Sequence, residues 1–245
     1  MNGGFKMKKS LLTILSATLV AGCLFGCSST TTTEDTTDTT EETTVGGWTI
    51  NDDDTSYALP EEVKTAFDKA CEGYTGMGFT PVAYLGSQVV SGTNYKILCK
   101  GTTVTENPET KYVTVTVYAD LDGNAEITDV VDFNIEDYTE ESTSEGTESG
   151  LAGGWTVADV YNVVNMEADV QQAFDKAMEG MLGVTYEPVA YLGSQVVSGT
   201  NYAILCHTTT VTENPENGFA VVIIYADLDG NASVSNVTQL DLANL

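Results

Sequence analysis

The chain has 245 residues, with 9 Lys+Arg against 36 Asp+Glu, one His and a formal net charge of −27 at pH 7. All the basic residues are lysines and they are scattered, so nucleic-acid binding is excluded and anionic membrane surfaces repel the chain.

Met7-Lys8-Lys9 and the apolar run Leu11–Ala21 precede Gly22-Cys23. This reads as a charged n-region, a short h-region and a small-residue cleavage site, with Met7 the fitting start. The run is too short to span a bilayer as a mature helix. Leu19-Val20-Ala21-Gly22-Cys23 resembles the bacterial lipobox, in which the cysteine carries the lipid. That assigns lipidation to Cys23, with Cys27, followed by Ser28-Ser29-Thr30, as the competing site. The expected layout is a signal peptide over 1–23 and an exported chain tethered by lipid alone and facing the cell exterior. Residues 24–45, rich in Thr and Glu, and the acidic stretch 136–152 are too polar to offset their ordering entropy. Both are read as disordered spacers.

Trp155 minus Trp48 gives an offset of 107, and that offset aligns the rest of the chain with itself without a gap. Two homologous domains are expected, 46–135 and 153–245, each of a size to hold its own core and fold alone. Pro81–Tyr95 and Pro188–Tyr202 are identical at every position.

Within a repeat, Pro60-Glu61-Glu62 opens a helix whose buried stripe is Val63, Ala66, Phe67, Ala70 and Tyr74, matched by Val170, Ala173, Phe174, Ala177 and Met181. Gly73 and Gly76, like Gly180 and Gly183, end it. Strands follow over Val82–Val90, Thr93–Lys100, Tyr112–Tyr118 and Ala125–Ile135, consecutive and joined by tight turns, hence antiparallel. Tyr95, Ile97 and Cys99 are expected to face the helix. The opposite face changes from Thr114 and Thr116 to Val221 and Ile223, which points to a contact surface on the second repeat. Cys71, Cys99 and Cys206 read as small buried residues, with a Cys71–Cys99 bridge left open. Trp48 and Trp155 read either as caps on the core or as contacts with a partner.

Gln88-Val89-Val90-Ser91-Gly92, running into Thr93-Asn94-Tyr95 and repeated as Gln195-Val196-Val197-Ser198-Gly199, carries a resemblance. With the upstream glycines, the helix and the meander, each repeat resembles the cystatins, inhibitors of papain-like cysteine proteases, most closely the stefin branch. The resemblance implies an α+β fold class: two tandem cystatin-like domains, each one α-helix packed on a curved antiparallel sheet of roughly four to five strands. It also implies a wedge that fills a protease cleft. Its first piece is Gly46 and Gly47 (Gly153 and Gly154), and its second is the hairpin Gln88–Gly92 (Gln195–Gly199). The third is a later hairpin around Leu121, Asp122 and Gly123 (Leu228, Asp229 and Gly230). Gly92 is expected to permit both the turn conformation and a close backbone approach. Ser91 stands where the family has Ala, and Asp122 where stefins have Pro.

Such a wedge needs no nucleophile, metal or cofactor. Asp120-Leu121-Asp122-Gly123-Asn124 has its Gly in the fourth position, not the sixth that a calcium loop requires, so a hairpin turn is expected. His207 is the only histidine and its counterpart is Lys100, so neither a repeated Ser-His nor a repeated Cys-His pair exists. The expectation is a non-enzymatic, surface-anchored inhibitor of papain-like cysteine proteases of the host or of the cell itself. The competing reading is a non-inhibitory binding or adhesion module on the bacterial surface.

Overall fold

The computed structural model describes residues 46–52, 58–139, 153–158 and 166–245. The signal segment with Cys23 and Cys27, the stalk up to residue 45 and linker residues 140–152 lie outside the described residues.

Helix α1 spans Glu61–Cys71, with Glu61 and Glu62 in the first turn and Lys69 in the last, the arrangement that suits the helix dipole. Val63, Ala66, Phe67 and Ala70 are its buried face. The chain leaves the helix before Gly73, whose φ of 82° ends further winding. Tyr74, expected on the stripe, therefore falls beyond the helix at 41% exposure. Helix α2, Ala168–Met178, buries Val170, Ala173, Phe174 and Ala177 in the same way, and Met181 falls beyond it.

The first repeat contributes β1 (Trp48–Ile50), β2 (Met77–Val89), β3 (Gly92–Thr103), β4 (Thr110–Asp120) and β5 (Ala125–Asp132). They form one antiparallel sheet in chain order. The second contributes β6 (Thr156–Val157), β7 (Val184–Val196), β8 (Thr200–Thr210), β9 (Asn217–Ala226) and β10 (Ala232–Gln239), in a sheet of the same order. β2 starts upstream of the expected Val82 because a register shift between Pro81 and Ala83 accommodates the proline.

Side-chain alternation sends the two faces of each sheet to different cores. From β3, Tyr95, Ile97 and Cys99 pack with Val63, Ala66 and Phe67 of α1, while Leu98 turns the other way. From β8, Ile204 and Cys206 pack against α2, while Ala203 and Leu205 turn the other way. Those second faces meet each other. Val82, Leu85, Leu98 and Tyr112 of the first repeat form a single buried cluster with Leu192, Leu205, Phe219, Val221 and Ile223 of the second.

The expected fold class is corrected by this arrangement. The described residues form a mainly β structure, two five-stranded antiparallel sheets with only two helices, and not two tandem α+β cystatin-like domains. The physical reason is that an 11-residue helix covers only one face of a sheet whose two faces both carry buried apolar side chains. The far face is covered by the partner sheet. Both repeats accordingly belong to one compact unit, Glu42–Leu245, and the expectation that each folds alone conflicts with that shared layer.

The docking is reciprocal, as in an isologous dimer. The Ile135 Cδ1 lies 3.3 Å from where a Cβ on Gly193 would stand. Leu242, 107 residues after Ile135, returns its carbonyl to Lys96, the residue paired with Gly86, itself 107 residues before Gly193. The start of the expected linker is also structured. Ile135–Tyr138 is a 3₁₀ turn, the Tyr138 ring stacks on Phe133 at 4.7 Å, and Asn236 Nδ2 donates to the Tyr138 carbonyl at 2.7 Å.

Candidate functional site

In the first sheet β1 starts opposite the end of β2, with Trp48 paired to Gln88, and β3 starts opposite the end of β4, with Gly92 paired to Asp120. Pairing alone therefore brings three segments to one end of the sheet. They are the chain around Gly46 and Gly47, the Gln88–Gly92 hairpin and the Asp120–Asn124 turn. The second sheet does the same with Gly153 and Gly154, Gln195–Gly199 and Asp227–Asn231.

Hydrogen bonds hold the segments to one another. Gly46 N–H donates to the Val89 carbonyl at 3.3 Å, and the Gln88 side-chain amide donates back to the Gly46 carbonyl at 2.9 Å. Asn94 Nδ2 donates to Gln88 Oε1 at 2.8 Å, which orients that amide. The Tyr118 hydroxyl donates to the Ser91 carbonyl at 3.2 Å, so its ring lies over the hairpin. In the second repeat Gly153 N–H donates to Val196 O at 3.0 Å, Asn201 to Gln195 at 2.9 Å and the Tyr225 hydroxyl to Ser198 O at 3.3 Å.

Gly92 meets one half of its expectation and not the other. Its φ is not positive, so the turn conformation does not demand glycine. A Cβ there would instead lie 2.2 Å from the Ala119 carbonyl oxygen and 2.9 Å from the Tyr118 ring, and at Gly199 it would lie 2.3 Å from Ala226 O. What requires glycine is the close approach of β4 and of the tyrosine ring.

Each third segment is built on one carboxylate. Asp120 Oδ1 accepts from the N–H groups of Asp122 (2.9 Å) and Asn124 (2.7 Å), and Oδ2 accepts from the Asn124 side chain (2.8 Å). The Asn124 side chain, then its backbone N–H, hold the Asp120 carboxyl below the ordinary aspartate range. Asp227 is held down the same way by Asn231. Lys69 Nζ, from the last turn of α1, donates to Gly123 O at 2.5 Å, and Lys176 to Gly230 O at 2.6 Å. The turn is thereby fixed from the helix side while Leu121 stands free at its crest, 89% exposed, with Leu228 at 88%. Val89, Val90 and Val196 are also exposed. Ser91 and Ser198 are exposed on the hairpin tips and Asp122 and Asp229 beside the leucines.

Beside the first edge a cavity of about 450 Å³ is lined by Glu61, Glu62, Tyr95, Asp120 and Ala125. The Tyr95 hydroxyl donates to Glu62 at 2.6 Å. Burial, then that carboxylate, push the phenol well above its ordinary range, so it stays a neutral donor.

The thiols lie away from the edges. Cys71, Cys99 and Cys206 are all free, which closes the question of a Cys71–Cys99 bridge, and burial pushes the Cys99 and Cys206 thiols well up. His207 lies on the shared layer, its ring edge-on to Phe219 at 5.4 Å. Among the described residues no group of three or more His, Cys, Asp and Glu could hold a metal ion, and no helix is long and apolar enough to cross a membrane.

Sequence reasoning gave no site role to Tyr118 and Lys69 or to their counterparts Tyr225 and Lys176, and named Asn94 and Asn201 only as the continuation of the motif. A signal for the tyrosines existed, because Tyr118–Ala125 and Tyr225–Ala232 are identical octapeptides. A scan against protein-family models finds none that matches the chain, and no curated protein matches it.

Proposed function

We propose that the protein is a non-enzymatic inhibitor of papain-like cysteine proteases, exported and held outside the cell by a lipid on Cys23, with Cys27 as the alternative anchor. Each sheet presents one blocking edge. The observation that carries the reading is the convergence of three segments on one sheet end, with apolar side chains at their crests: Val89, Val90 and Leu121 in the first repeat, Val196 and Leu228 in the second. Apolar crests on a rigid hairpin suit a hydrophobic cleft, because the contact area is desolvated on binding while little order is lost. Inhibition by this route is steric. The edge denies substrate access to the catalytic thiolate and offers it no cleavable peptide.

The test is a titration of the purified, unlipidated chain against papain with a fluorogenic substrate. Wild type is expected to inhibit at submicromolar concentration. The double substitution Val90→Glu and Val197→Glu, at hairpin tips, is expected to weaken inhibition by at least about a hundredfold by placing a carboxylate in a desolvated contact. An unchanged melting temperature confirms that only the surface was altered. Wild type inert toward papain-like enzymes at micromolar concentration overturns the reading. The second reading is a non-inhibitory binding module, favoured by the exposed carboxylates of Asp122 and Asp229 next to the apolar crests.

A further inference from the structure

We infer that Lys96 is a positioning residue that couples the C-terminal segment of the second repeat to the edge of the first, and so makes the two edges unequal. The consequence for binding rests on the functional reading above; the structural coupling does not.

Lys96 lies on the face of β3 turned toward the second sheet and is 4% exposed. Its ammonium donates to the carbonyl of Leu242 at 2.8 Å and to the main-chain oxygen of Leu245, and stands 4.8 Å from the centre of the Trp48 ring. A buried ammonium persists only where such groups replace its water, and here two main-chain oxygens and one aromatic face do so. Burial holds its pKa below the usual lysine range.

The ring it touches is the start of β1. Trp48 pairs with Gln88, and two residues earlier Gly46 exchanges hydrogen bonds with the Gln88 side chain and the Val89 carbonyl. The path from the tail to the edge is therefore continuous: Leu242 and Leu245, Lys96, Trp48, β1, then the flank of the hairpin.

The second repeat lacks the coupling residue, because Ala203 occupies the position equivalent to Lys96. Its edge is held differently. Gly153 N–H donates to Val196 O at 3.0 Å, against 3.3 Å for Gly46 and Val89, and Lys100 of the first repeat donates to Ala158 O at 2.7 Å. The hairpin flank itself, however, carries fewer ties. β6 has 2 residues where β1 has 3. Among the described residues Gln195 makes no bond to Gly153 corresponding to Gln88–Gly46. Val196 is 67% exposed where Val89 is 39%. A pre-ordered edge loses less freedom on binding, so the first edge is expected to be the tighter one.

Two equivalent amides report the coupling without any partner: Asn51 N–H, bonded to Leu85 O at 3.0 Å, and Ala158 N–H, bonded to Leu192 O at 2.9 Å. In the full chain, Lys96→Met removes the ammonium and keeps most of the stem. Hydrogen exchange followed by NMR is expected to quicken about tenfold or more at Asn51 and to stay within about twofold at Ala158. Equal acceleration at both amides, the mark of a merely structural role, overturns the inference, as does no change at Asn51. Should Lys96→Met abolish the fold, Trp48→Leu decides the matter by the same two amides.

A second arm addresses binding. With the second edge blocked by Val197→Glu, Lys96→Met is expected to weaken papain inhibition at least about fivefold, mainly through faster dissociation. Unchanged affinity alongside the Asn51 effect overturns the claim that the coupling tunes the edge. Absence of inhibition in wild type speaks against the function proposed above and leaves the exchange result to decide the coupling.

Discussion

The two repeats agree along their edge hairpins and along most of β2 and β7, and disagree on the part of the shared layer that β3 and β4 build. Pro81–Tyr95 and Tyr118–Ala125 recur unchanged in the second repeat, yet at the shared layer Lys96, Lys100 and Thr114 face a sheet that carries Ala203, His207 and Val221 at the equivalent positions. One face is polar within an apolar frame and the other almost wholly apolar. Each lysine finds a carbonyl on the opposite repeat, Lys96 at Leu242 and Lys100 at Ala158 (2.7 Å). An exact homodimer of either face could not offer this: two first faces would bury four ammoniums together, and two second faces would leave none to bond the returning carbonyls. The difference shows a layer specialised for the other repeat beside edges held to one pattern.

Separating the repeats is the strongest way to break this comparison. Fragments 46–139 and 153–245 are each expected to lack a cooperative thermal transition when alone and to bind a hydrophobic dye, since each exposes half of the shared layer. Mixing them is expected to restore a transition. Circular dichroism melts check this, and an independent, reversible transition for either fragment would contradict the shared core.

A smaller effect contrasts the layer with the tips. Leu205, fully buried between the sheets, and Leu228, on a turn crest, are the same residue in opposite surroundings. Leu205→Ala is expected to cost about 3 kcal/mol, through lost burial and the cavity left behind. Leu228→Ala is expected to stay within about 0.5 kcal/mol. Denaturant midpoints of the two variants measure the contrast.

The smallest effect sharpens the asymmetry of the tails. Tyr138 occupies the position equivalent to Leu245, and burial, then Asp137, push its phenol up to about 12 from an ordinary 10. Below pH 10 the phenol is neutral in both folded and unfolded states and its contribution is complete. From pH 10 to 12 the unfolded state ionises first, so stability falls as pH rises through the folded value. Tyr84, Tyr95, Tyr191 and Tyr202 are raised as well and add to the slope, while Lys96, lowered from 10.5, opposes it only below about that pH. Tyr138→Phe is expected to flatten the decline between pH 10 and 12 by a modest, measurable amount in denaturant titrations. An unchanged slope would remove Tyr138 from this account.

Much of the edge was legible without coordinates. Identity between repeats marked Gln88–Gly92, and the Asp-Gly pair marked the turn at Asp122-Gly123, because turn chemistry is local. Gly92 was legible as a place of close backbone approach, but what approaches it was not. Its requirement comes from Ala119 and Tyr118, 27 and 26 residues away in sequence, which only strand pairing brings near. Lys69 was likewise invisible as a partner of Gly123, since nothing in a helix's last turn states which loop it will reach.

By itself the sequence determined the duplication, the helix faces and most strand positions, all of which follow from spacing along the chain. It also determined the tip residues. Only the tertiary structure decided that the two repeats form one body. The Val-Thr alternation over 113–117 reads as a strand wet on one face, yet Thr114 is 2% exposed because another sheet lies across it. Two-sided burial leaves a periodicity signal only where the covered face is apolar, as in Phe219–Ile224, and none where threonine and lysine are covered. What covers a face depends on a surface more than a hundred residues away, and local spacing carries no record of it.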